Sequence, residues 1–299
     1  VLAVETRQLC KSYARREVLH HIDLRVPCGA LYGFLGPNGA GKTTTLRILM
    51  GLLRNSGGQA LIFGKDVWSQ GPAVRAEVGY LSGDIRLYDR LTGRQTLTFL
   101  DAARRRDSKD EIRRLAALFD MDLGRRVRDC SRGMKQKIGL IQALMHRPRL
   151  VVLDEPTVTL DPLVREALCD ELRRVAAEGR TVLFSSHTLS EVEALCDRVG
   201  ILKDGRLIEQ ESVDVLRRRA LRHVELRCRP GGSFPAPLPA GLTVTHRDGS
   251  HLAATWAGDL APLLRWLAEQ PVEDLTLSPP DLEDLFMAYY GGRAAATQP

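Results

Sequence analysis

The chain has 299 residues, 44% hydrophobic and 5% aromatic, with a formal net charge of +6. That length and apolar content suffice for a large core and predict two domains rather than one, while so few aromatics argue against a platform on which bases stack. No apolar run approaches the roughly 20 residues needed to cross a bilayer and no signal-peptide pattern opens the chain, so it has no transmembrane segment of its own and any action at a membrane passes through a partner. The cysteines at 10, 28, 130, 169, 196 and 228 form no C-x-x-C pair, so neither a zinc ribbon nor a disulfide framework is indicated and a reducing compartment fits. The runs Arg104-Arg105-Arg106 and Arg217-Arg218-Arg219 read as solvated helix faces in preference to contacts with anionic lipid or nucleic acid, and no nucleic acid is expected as a partner.

In chain order, short apolar runs alternate with helical periodicity from Val1 to about Glu209, which predicts an α/β layer fold with a parallel sheet. Residues 31–35 read as a short buried strand and 44–50 as a helix. Between them Gly36-Pro37-Asn38-Gly39-Ala40-Gly41-Lys42-Thr43 matches the phosphate-loop pattern G-x-x-x-x-G-K-[ST] in full. Each residue type has a job there: glycines let consecutive N–H groups turn toward one anion, Lys42 sets a cation on the outer phosphates, and the Thr43 hydroxyl ligates Mg²⁺. The helix N-terminus then faces the phosphates. The chain is therefore expected to bind a nucleoside triphosphate.

From about 85 to 146 the pattern turns helical and interrupts the sheet. Thr92-Gly93-Arg94-Gln95 has the capping-box form T-x-x-Q, and a second helix starting near Ser131 carries Met134, Ile138, Ile141 and Met145 on one face. Residues 150–153 are the clearest buried strand, followed by strands at 181–185 and 198–202. The first of these ends in Asp154-Glu155, as a nucleotide hydrolase requires: one acid helps hold Mg²⁺ and the next orients or deprotonates an attacking water. His187 ends the following strand, beside those acids if the sheet is parallel, and is a candidate γ-phosphate contact.

After about 210 the character shifts. Val224, Leu226 and Cys228 alternate as in a half-buried strand, 230–239 is rich in proline and glycine and reads as a loop, 243–245 and 275–277 read as strands, and 260–267 as a helix. Ser278-Pro279-Pro280-Asp281 starts a further helix bearing Leu282, Leu285, Phe286 and Tyr289. The reading is a nucleotide-binding domain over 1–209, with its helical subdomain at about 85–146, and a small α+β accessory domain over 210–299 whose tail from Gly291 is disordered.

Ser131-Arg132-Gly133-Met134-Lys135-Gln136-Lys137 resembles the signature motif of ATP-binding cassette ATPases, and the order of phosphate loop, signature, Asp154-Glu155 and His187 is that family's order. The resemblance covers nearly the whole chain. Together with the C-terminal extension ending in 280–286, it is similar to the ATPase subunits of ABC-2-type and drug-resistance exporters. It implies a RecA-like parallel-sheet core with a helical insertion, and ATP with Mg²⁺ as cofactors. It implies that Tyr13 stacks on adenine, that residues 36–44, including Thr44, hold the phosphates, and that Thr43 and Asp154 serve the metal. Glu155 and His187 act with Lys42 in hydrolysis. Ser131 and Gly133 bind the γ-phosphate held by a second copy of the chain, and Asp161 belongs to the loop that crosses the dimer interface. The remaining partner it implies is a membrane-spanning ABC-2-type permease, docked around Leu87-Tyr88 and Leu91, which would place a cytoplasmic protein at the inner face of the cell membrane.

The chain departs from the family's wording in places. Gly83 stands where a glutamine is usual, and Asp84 is expected to substitute in part. Cys130, Arg132 and Met134 replace the common leucine, glycine and glutamine of the signature, and Val158-Thr159 replaces a small polar pair. Arg132 either adds charge toward phosphate or faces solvent. Two other classes use some of the same motifs. A soluble, non-transport cassette ATPase shares these motifs, although this chain has one cassette and no long coiled-coil insertion. A guanine-selecting GTPase needs N-K-x-D, and neither Asn38 nor Asn55 precedes lysine.

Overall fold

The computed structural model describes residues 1–14, 16–229, 238–278, 282 and 286. The chain divides into two compact units, Val1–Glu211 and Ser212–Pro299. No helix among the described residues is long and apolar enough to cross a membrane.

The first unit runs β1 (Leu2–Tyr13), β2 (Arg16–Ile22), β3 (Arg25–Pro27), β4 (Leu31–Leu35), α1 (Lys42–Leu49), β5 (Gly57–Ile62), β6 (Lys65–Asp66), α2 (Gly71–Glu77), β7 (Val78–Leu81), α3 (Gly93–Ala103), α4 (Lys109–Leu118) and α5 (Arg132–Leu144). It continues with β8 (Leu150–Asp154), α6 (Pro162–Ala177), β9 (Thr181–Ser186), α7 (Leu189–Leu195), β10 (Arg198–Lys203) and β11 (Arg206–Ser212). The main sheet has the order β11-β10-β4-β9-β8-β7, and β10, β4, β9, β8 and β7 pair in parallel. Every residue of β4, β8 and β9 is buried, the pattern of a sheet covered on both faces.

The first 66 residues do not all join that parallel sheet. A separate antiparallel sheet has the order β2-β1-β5-β6, with β3 also on β1. Its strands bury one face only, which is why their sequences are less continuously apolar. Val4, Leu9, Leu19 and Ile62 from this sheet, Leu46, Ile48 and Leu49 from α1, and Tyr32, Phe34 and Val152 from the parallel sheet share one core, so α1 is fixed on both sides.

The first helix of the insertion, α3, begins at Gly93. Thr92 is a full capping box: its hydroxyl accepts from the Gln95 N–H at 3.2 Å while Gln95 Oε1 accepts from the Thr92 N–H at 2.9 Å, a cap contributing about 1 kcal/mol. The α4 residue Arg114 donates to Glu171 on α6 through Nη2 at 2.6 Å and Nη1 at 3.0 Å, tying the insertion to the sheet layer.

In the second unit, α8 (Val213–Arg219), β12 (Arg222–Cys228), β13 (Leu242–Asp248), β14 (His251–Trp256), α9 (Leu260–Ala268) and β15 (Val272–Leu277) follow. Its antiparallel sheet has the order β13-β14-β12-β15, and Val224, Leu226, Leu252, Trp256, Leu263 and Leu267 form its core. The strand β14 has only a weak signal in the sequence, because Ala253 and Ala254 blunt its alternation. Residues 230–237, the tail from 291 and most of the final helix read from the sequence lie outside the described residues; of that helix Leu282 and Phe286 are helical and buried.

Candidate functional site

The phosphate loop leaves the carboxyl end of β4, the strand flanked by β10 and β9. A Cβ at Gly36 would lie 2.4 Å from the Leu202 carbonyl oxygen, so only glycine fits where the loop leaves the sheet. Gly39 and Gly41 take φ values of 83° and 108°, open to glycine at little cost. Gly41 is the N-cap of α1 and supplies no side-chain cap, which leaves the first-turn N–H groups aimed at the loop's concavity. Gly36, Ala40 and Gly41 are buried, whereas Pro37, Asn38 and Gly39 form the exposed rim.

Lys42 is 5% exposed. Its Nζ donates to the Gly36 carbonyl at 2.6 Å and the Pro37 carbonyl at 3.1 Å and lies 3.3 Å from Glu155 Oε1. The ammonium is therefore held over the loop by three oxygens. A cavity of about 480 Å³ opens in front of it, lined by Tyr13, Arg16, Val18, loop residues, Lys42, Thr43, Thr44 and Glu155, a volume within the range of small-molecule sites. Tyr13 closes β1; it is half exposed, with Lys11 Nζ 5.0 Å from its ring centroid.

The acids arrive because parallel register aligns strand ends. Leu35 pairs with Ser186, and Asp154 with Ser185, so β4, β9 and β8 end at one level. Asp154 Oδ1 accepts from the Thr43 hydroxyl at 3.1 Å and the Ser185 hydroxyl at 2.7 Å. The Ser185 hydroxyl in turn accepts from the Glu155 N–H at 3.0 Å. Asp154 Oδ2 is buried without a hydrogen-bond partner. A buried carboxylate oxygen left bare beside a threonine hydroxyl is the hard-oxygen donor set a Mg²⁺ ion uses. Glu155 has φ 47°, a left-handed conformation costing a non-glycine residue roughly 1–2 kcal/mol, and its Oε2 lies 3.5 Å from His187 Nδ1. The backbone turn directs this carboxylate between Lys42 and His187.

A second cavity, about 340 Å³, adjoins the first and is lined by Thr43, Arg47, Gly83, Asp84, Arg132, Gln136, Asp154 and Glu155 among others. A Cβ at Gly83 would lie 3.2 Å from Asp154 Oδ2, so the backbone after β7 faces the bare oxygen. The Asp84 carboxylate instead accepts from Arg86 Nε at 3.0 Å in an exposed pair. Arg132 lines this cavity and is also exposed to solvent.

Ser131 is the exposed N-cap of α5, its hydroxyl accepting from the Met134 N–H at 3.2 Å. A Cβ at Gly133 would come within 2.8 Å of the Thr159 carbonyl. Asp161 caps α6 by accepting from the Val164 N–H at 3.0 Å, which holds its carboxyl below the usual range. None of the three is among the residues lining the two cavities. Ser185 was missed in the sequence as a site residue; the signal was a hydroxyl paired in register with Asp154. Gln136, also missed, donates to the Pro156 carbonyl at 3.0 Å and joins the signature helix to the acid-bearing turn.

A family model described as ABC transporter matches residues 19–158. The bacitracin transport ATP-binding protein of Bacillus licheniformis is 32% identical, over 97% of this chain and 97% of that one. The daunorubicin/doxorubicin resistance ATP-binding protein of Streptomyces peucetius is 33% identical, over 97% of this chain and 92% of that one. Among solved structures, an ATP-binding subunit of an ABC transporter superimposes with a TM-score of 0.67 at 30% identity, over 73% of this chain and 92% of that one.

Proposed function

The chain belongs to the ABC transporter ATP-binding protein family and is an ATPase, and from that premise we propose that it powers an exporter through a separate membrane permease. The observation that carries the catalytic part is the convergence of Lys42, Glu155 and His187, with Thr43 on Asp154, at the ends of three aligned parallel strands.

In this reading Tyr13 stacks on adenine, and the N–H groups of residues 36–44 cradle the phosphates with Lys42 as their cation. Thr43 and Asp154 would hold Mg²⁺, which when bound would offset charge on the phosphates. Glu155 takes the proton of the attacking water, and His187, 3.5 Å from it, stabilises the transferring phosphoryl group. Positioning and charge stabilisation carry such a reaction, with no covalent intermediate. Ser131 and Gly133 lie outside the cavities around their own loop, which supports a head-to-tail pair in which each copy's signature closes the other's nucleotide and Asp161 lies at the seam. Closure on ATP and opening after hydrolysis would drive the permease from the inner face of the membrane. The permease is of the ABC-2 type and docks near Leu87, Tyr88 and Leu91. The relatives' names, bacitracin transport and daunorubicin/doxorubicin resistance, support an antibiotic-like cargo.

The test is isolation of the tagged protein at native expression from detergent-solubilised membranes. A stoichiometric polytopic membrane protein is the expected companion, and recovery with ribosomal or other soluble partners would replace this reading by a non-transport ATPase. Asp84 as a partial substitute for the missing glutamine is dropped if Asp84→Ala leaves turnover and its Mg²⁺ dependence unchanged.

A further inference from the structure

We propose that Cys10, Glu17 and His21 form a divalent-metal site of the zinc class on the β1–β2 hairpin, outside the two cavities of the nucleotide site. One ligand atom from each of the three residues lies within 4.8 Å of the other two. Cys10 Sγ and His21 Nδ1 are 3.4 Å apart. Two ligands of one tetrahedral zinc, with Zn–S near 2.3 Å and Zn–N near 2.1 Å, sit about 3.6 Å apart, so this edge of a coordination tetrahedron is already in place.

The local backbone produces that edge. The β1–β2 register shifts between Leu9 and Lys11 and again between Lys11 and Ser12, and such bulges re-aim side chains. His21 adopts φ 51°, and its N–H points at Cys10 Sγ at 3.4 Å, holding the sulfur beside the ring as outer-shell donors do in metal centres. Glu17 is exposed and already brings a carboxylate oxygen within 4.8 Å of the other two ligand atoms. Its Oε2 also lies 3.0 Å from His20 Nδ1, and a ligating carboxylate is ordinarily hydrogen-bonded in this way.

The donor set decides the metal class. One sulfur, one imidazole nitrogen and one carboxylate oxygen suit zinc and its borderline neighbours rather than Mg²⁺ or Ca²⁺, which take oxygen. Three protein ligands leave a fourth position for water or an added thiol. A metal there would join the two strands whose adjoining ends, Tyr13 paired with Arg16, line the nucleotide cavity.

The experiment uses the full chain, freed of metal with a chelator and kept in excess Mg²⁺ so that the Asp154 cleft does not compete. Co²⁺ should give a thiolate-to-cobalt charge-transfer band, and Zn²⁺ should displace it at one equivalent. Cys10→Ser should abolish the band, and either Cys10→Ser or His21→Ala should weaken Zn²⁺ binding by more than the ~10–100-fold that loss of an outer-shell partner costs. Cys28→Ser, at an exposed cysteine outside the cluster, should change nothing. Absence of the band in the wild-type protein overturns the proposal whatever the variants do, as does Zn²⁺ affinity that survives Cys10→Ser and His21→Ala.

Discussion

Glu155→Gln preserves the side chain's length and removes its charge, which lies 3.3 Å from Lys42 Nζ and 3.5 Å from His187 Nδ1. At 3.3 Å and an effective dielectric near 20, a unit pair carries on the order of 5 kcal/mol of gross attraction, most of which is offset by lost hydration of the two ions. Two consequences point in opposite directions. Without the carboxylate the attacking water loses its base, so turnover should fall by about 10²- to 10⁴-fold, equivalent to roughly 3–5 kcal/mol on the barrier. Binding should not weaken, because Lys42 is released from a competing anion and becomes fully available to phosphate. The assays are steady-state phosphate release, equilibrium binding of a fluorescent ATP analogue, and sedimentation with and without ATP. Slow turnover, ATP affinity at or above wild type, and an ATP-dependent dimer are expected together. Turnover within about tenfold of wild type would remove Glu155 as the base. A variant that stays monomeric at saturating ATP would count against the head-to-tail pair.

Asp154→Asn keeps the acceptor for Thr43 and Ser185 but removes the anionic partnerless oxygen; Mg²⁺ should then no longer strengthen ATP binding, and a Mg²⁺ dependence equal to wild type would contradict the assignment. Tyr13→Ala should weaken ATP binding by about 1–3 kcal/mol, roughly 5- to 150-fold in Kd, and an unchanged Kd would leave Tyr13 with no role beyond closing β1. Burial first, then repulsion from Arg104, lowers the His146 pKa to about 4. The folded state therefore keeps this ring neutral while the unfolded chain protonates it below about 6.5, so its contribution is fully present above that value and is lost as pH falls toward 4. Denaturant unfolding should show about 2 kcal/mol of stability lost from this group between pH 7 and 5. His146→Gln should remove that part of the slope, and identical slopes in both proteins would refute the account.

The phosphate loop, the Asp154-Glu155 strand end and the capped helices at Thr92 and Ser131 were legible in the sequence because their causes are local. Glycine conformations, a cap three residues from its partner and a run of five buried residues are all written within one turn or one strand. The sheets were partly legible: continuous apolar runs marked β4, β8, β9 and β10, whereas half-buried β1, β2 and β5, and alanine-diluted β14, gave weaker periodicity. Other features depend on register between distant segments. Ser185 meets Asp154 because β8 and β9 end in step. Gly83 faces the bare Asp154 oxygen while Asp84 turns to Arg86. Cys10 reaches His21 only through two register shifts in a hairpin. Sequence supplied the chemical groups and the local backbone shapes that carry them; which groups meet was decided by strand pairing, where a slip of one residue would turn each side chain to the opposite face.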